Sequence, residues 1–126
     1  MKIYKVFDSV FECEYCLYTG ISFDRFKHEI SKYKRDISQL DYADDCKGLT
    51  TTVDSGGVCI YIKEFAMTPE KIAILVHECV HATQQRLYLD CNVDRREMEC
   101  PAYYTAFLVR EFLTKMNKTE KQSHGE

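Results

Sequence analysis

A chain of 126 residues is long enough to bury one hydrophobic core without disulfide staples and too short for a second sizeable domain. Its net charge of −3 argues against a general nucleic-acid or anionic-membrane binder, which carries a basic excess. Seven cysteines form no even framework. Because Lys5, Asp8 and Glu12 break up the N-terminal apolar letters and no apolar run approaches the roughly 18 residues of a membrane span, the chain reads as cytoplasmic, with its cysteines as thiols.

Residues 2–7 are rich in β-formers. Phe11, Cys13, Tyr15 and Leu17 then alternate with Glu12, Glu14 and Cys16, which is the period of a half-buried strand; Asp8 and Ser9 are placed to turn the chain between the two. Over 21–40, Phe23, Phe26, Ile30, Tyr33, Ile37 and Leu40 recur at three and four, predicting an amphipathic helix capped by Ser22, with Asp24, Lys27, Glu29, Lys32 and Lys34 on its solvated face. Residues 41–47 read as a loop. Residues 48–64 read as a β-hairpin: a threonine-rich strand, a turn at Asp54-Ser55-Gly56-Gly57, and a second strand over 58–64.

Thr68-Pro69-Glu70 is a helix start: an N-cap, a proline whose missing N–H is no loss in the first turn, and an acid at the positive end of the dipole. This helix is predicted to run to about residue 88. Its stretch 72–76 is apolar all round, which predicts a buried central helix. After a connection at 91–94, a last helix that includes 102–113 carries Ala102, Ala106, Val109 and Leu113 on one stripe, with Pro101 in its first turn. Residues 117–126 are polar and predict a disordered tail, leaving a single domain over 1–116 of class α+β.

The second helix contains HECVH, residues 77–81. Residues four apart share a helical face, so His77 and His81 can aim imidazole nitrogens at one point, where zinc accepts them. Glu78 lies a quarter-turn away. It is better placed to take a proton from a water at the metal than to bind the metal itself, the division of labour of a metal-dependent hydrolase. A catalytic zinc commonly has three protein ligands and one open position. Asp90, Cys91, Asp94, Glu97, Glu99 and Cys100 follow downstream. Glu99 is the strongest candidate, because Ala102 and Ala106 on its side of the last helix would let that helix approach the motif helix closely; Glu97 is the second. Against these readings stand the bland ones: a chance HExxH, and Glu99 as a first-turn acid facing the dipole.

HECVH followed by Glu99, Ala102 and Tyr103 resembles the gluzincin branch of zinc metallopeptidases, and more closely the very small gluzincin-like proteins of phages and bacteria, in which a Glu-x-x-Ala-Tyr pattern follows HExxH and a hairpin precedes it. The resemblance covers about residues 48–113. It implies a minimal zincin-like domain with one zinc ion on His77, His81 and Glu99, Glu78 as general base, and a peptide or protein substrate beside a sheet edge. The strand 58–64 is the candidate edge for strand addition. The chain departs from larger members in lacking an evident second lobe and an oxyanion-stabilising His or Tyr; Tyr103 and Tyr104 read better as packing residues. The principal expectation is a zinc-dependent peptidase, and the alternative a catalytically inactive zincin-fold binding protein. Of the remaining residues, Cys13 and Cys16 in CEYC should face opposite sides of a strand, Cys59 and Cys79 should be core, and His28 and His124 should be solvated.

Overall fold

The computed structural model describes residues 1–38, 40 and 47–124, the last six of these as backbone alone. β1 (Lys2–Asp8) and β2 (Cys13–Thr19) pair antiparallel, as their alternation predicts. Asp8 makes the turn between them, its Oδ1 accepting from the backbone N–H of Val10 at 2.9 Å. β3 (Gly48–Thr52) and β4 (Val58–Ile62) form the second antiparallel pair. Their turn is closed by Val53 N–H on the Gly57 carbonyl at 2.9 Å and needs glycine at Gly56, where φ is 95°. β4 also pairs in parallel with β2, giving one mixed sheet in the order β1-β2-β4-β3.

This order corrects the expected edge. The strand predicted over 58–64 is an inner strand with neighbours on both sides, and all five residues of β4 are buried. An uninterrupted apolar VCIYI is what a strand covered on both faces requires. The edges are β1 and β3.

Both faces of the sheet are covered. On one, Tyr15, Leu17, Ile60 and Ile62 pack against α2 (Pro69–Thr83) and α3 (Glu99–His124) through Leu75, Cys79, Leu108 and Phe112. On the other, Tyr18 and Tyr61 pack against Phe23, Phe26 and Ile30 of α1 (Phe23–Ile30). The fold is α+β in three layers.

Three helices differ from expectation in extent or phase. α1 begins at its cap, Ser22 Oγ accepting from Arg25 N–H at 3.1 Å, but ends at Ile30 rather than near residue 40. The chain turns there because the β3–β4 turn captures it: Asp54 N–H donates to the Tyr33 carbonyl at 3.0 Å and Arg35 N–H to Asp54 Oδ2 at 3.0 Å. α2 starts at Thr68 and Pro69 as predicted, yet it is not enclosed, since Val76 and Val80 are 38% and 39% exposed. Its end passes into a π-helical segment, Gln84–Asp90. α3 starts at Glu99, with Pro101 in its first turn, and continues to His124, so residues 117–124 of the expected tail are helical backbone. The loop read over 41–47 lies, apart from Lys47, outside the described residues, as do 125 and 126. Among the described residues no helix is long and apolar enough to cross a membrane.

Candidate metal centre

His77 and His81 project from one side of α2, both exposed, with their Nε2 atoms 3.2 Å apart and their rings nearly perpendicular at 81°. The fourfold spacing on a helix sets this neighbourhood. Zinc bound to two imidazoles at about 2.0–2.1 Å in a tetrahedral arrangement holds their nitrogens about 3.3 Å apart. The observed separation matches that distance. The same separation also suits a hydrogen bond between the two ring nitrogens, with the donor set by the tautomer.

Glu78 faces inward. It is 5% exposed, and its Oε1 accepts from Thr50 Oγ1 at 2.9 Å; the same hydroxyl lies 3.1 Å from the Glu78 carbonyl. The strand carrying Thr50 is β3, the sheet edge, and it comes close because residue 48 is glycine. A Cβ there would lie 2.9 Å from both Glu78 Oε2 and Ile74 Cγ2. Helix and edge strand thus bound a cleft of about 370 Å³, lined by Gly48 to Thr52 on one side and by His77, Glu78, His81, Gln84, Gln85 and Leu89 on the other.

Glu99 is not brought to this cleft. The buried stripe of α3 is Tyr104, Leu108, Phe112 and Met116, not the alanine stripe read from the sequence. Glu99, five residues before Tyr104, lies roughly 140° round the helix from it. It lines a separate apolar hollow with Asp8, Phe11, Tyr103 and Phe107. Ala102 and Ala106, expected to seat α3 against α2, are exposed in a groove beside Val76. Glu97 is used locally: its Oε1 accepts from the N–H groups of Glu99 at 2.8 Å and Cys100 at 3.2 Å, capping α3. Among the described residues no three His, Cys, Asp or Glu side chains are grouped to hold a metal ion. The two imidazole nitrogens stand together at the cleft, and Glu99 lines a different hollow.

Tyr103 and Tyr104 also lie away from the cleft. Tyr103 is exposed, whereas Tyr104 is buried and its hydroxyl donates to Asp8 Oδ2 at 2.8 Å and meets the Tyr15 hydroxyl. Burial pushes both phenols well above their ordinary range. Cys13 and Cys16 face opposite sides of the sheet, as their strand register predicts. Burial likewise pushes Cys16 up to about 12, Cys59 to about 11 and Cys79 to about 12, so these thiols stay protonated.

Gly48, Thr50 and Gln84 are cleft residues that the sequence reading did not single out. The first two belong to a strand recognisable as such, but which edge lies beside α2 is a property of the sheet order. Gln84 continues the helical spacing of the histidines and could have been found from it. Comparison of the chain with protein-family models, with curated proteins and with solved structures found no match.

Proposed function

We propose that this protein is a zinc-dependent hydrolase of amide bonds, built on a minimal zincin-like arrangement in which the HECVH helix lies beside an edge strand. The observation that carries the reading is the 3.2 Å separation of the two Nε2 atoms, with the Glu78 carboxylate held beside the same cleft. His77 and His81 would hold the ion. When bound, zinc supplies Lewis acidity, polarising a carbonyl and making water acidic enough to lose a proton near neutrality.

The chain's own residues do the rest. Thr50 fixes Oε1 of Glu78, and Oε2 has no hydrogen-bond partner among the described residues, so one carboxylate oxygen is oriented and the other is available. Glu78 takes the proton of the attacking water and returns it to the departing amine. β3 presents an unpaired strand edge along the cleft, suited to an extended peptide by strand addition; this role passes to β3 from the strand 58–64. A cytoplasmic peptide or protein is the substrate class this reading carries forward.

The second reading, a catalytically inactive zincin-fold binding protein, draws on the lack of a third acidic or histidine ligand among the described residues. One experiment separates the two. Zinc-loaded wild type and Glu78→Gln are incubated with a mixture of unstructured peptides and cleavage is followed by mass spectrometry. The amide keeps an acceptor for Thr50, so fold and zinc content should persist while cleavage falls by about 10²–10⁴-fold. Equal cleavage by both removes Glu78 from the mechanism. Zinc uptake without cleavage by either selects the binding protein.

A further inference from the structure

Resting on the zinc reading above, the mismatch at Glu99 leaves a site with two ligands and a question about the third. Gln84 lies three residues beyond His81 and seven beyond His77, on the same helical face. Its backbone is still α-helical, at φ −59° and ψ −44°, so the phase of the face persists to this residue. Helical side chains lean toward the N-terminus, so Gln84 covers the turn from which His81 projects. It lines the same cleft as both imidazoles.

Of the other polar groups of that wall, Gln85 Nε2 donates to Asp90 Oδ1 at 3.1 Å and Glu78 Oε1 accepts from Thr50. The Gln84 carboxamide has no hydrogen-bond partner among the described residues. Gln84 opens the π-helical segment, whose wider i→i+5 turns are a rare geometry that is frequent at functional sites. An α-helix would carry the 77–81–84 face on to Tyr88. In the wider turns Gln85 and Leu89 face the cleft instead, and the Tyr88 hydroxyl turns to the Glu97 carbonyl at 3.4 Å.

We infer that the carboxamide oxygen of Gln84, not Glu99, is the third protein donor to a cation held by His77 and His81. The donor set is two imidazole nitrogens and one neutral oxygen. Amide carbonyls bind cations, although less strongly than carboxylates.

Zinc affinity of the full chain, measured by competition with a chromophoric chelator, tests this without reference to activity. Gln84→Ala should weaken binding about tenfold and Gln84→Glu, which adds a charge at the same reach, should tighten it about tenfold, while Glu99→Ala leaves it unchanged. Gln84 is exposed, and a gain of affinity in Gln84→Glu cannot come from a damaged fold. Weaker binding in Glu99→Ala, with both Gln84 variants equal to wild type, overturns the assignment and leaves the zinc reading standing. No zinc binding by wild type overturns both.

Discussion

At the scale of single residues, the site depends on an absence of side chain. Gly48 is close to Glu78 and Ile74, and the 2.9 Å approaches its Cβ would make leave no room even for a methyl. Gly48→Ala is therefore expected to displace the Glu78 carboxylate and destabilise the fold by about 1–3 kcal/mol, read as a lower urea midpoint; an unchanged midpoint would mean that strand and helix part without cost. HECVH was legible because a helix fixes which side chains share a face, and that local geometry carried His77 and His81 to one place. Gly48 was not, because nothing in its local sequence says that it will meet a carboxylate thirty residues away.

At the scale of elements, α3 shows why a stripe read from one sequence can be turned the wrong way. Residues 102–113 are apolar over most of the circumference, so the alanine stripe and the stripe through Tyr104, Leu108 and Phe112 both satisfy the spacing. A partner outside the helix decides between them. Asp8, at the end of β1, accepts from the Tyr104 hydroxyl, and Tyr15 of β2 meets the same hydroxyl, which draws that side of α3 onto the sheet. The rotation takes Glu99 with it. Tyr104→Phe keeps the ring but leaves buried Asp8 and Tyr15 oxygens short of a partner, and should cost about 1–3 kcal/mol in denaturant unfolding. A loss well below that range would show that ring packing alone orients the helix. α1 carries the same lesson in length. Its periodicity continues past Ile30, but hydrogen bonds from a turn distant in sequence end the helix, and only the cap at Ser22 was a local signal.

At the scale of the whole molecule, two thiols lie on one face of the sheet, Cys16 partly buried and Cys59 buried, a third, Cys79, is buried in the helix packed on the other face, and their protonation is coupled to folding. Cys16, Cys59 and Cys79 are each raised, chiefly by burial, to about 11 or 12. The unfolded chain releases these protons from near its ordinary thiol range, so between about pH 9 and pH 12 it binds fewer protons than the folded one and stability must fall as pH rises. Urea midpoints taken at about pH 8 and about pH 10.5 should show that decline; equal midpoints would mean the thiols ionise as readily folded as unfolded. The α+β class and both hairpins could be read from alternation and turn residues, whereas the sheet order could not, since local pattern does not say which hairpin strands will meet.

That meeting governs how the protein comes together. Each hairpin closes between near neighbours in the chain, but Tyr15 finds Val58 only across 43 intervening steps of backbone. Closing so long a loop is slow beside hairpin formation. A chain released from denaturant should thus hold two separate ribbons before it holds a sheet, and the crevice beside the histidines should be among the last features to take shape.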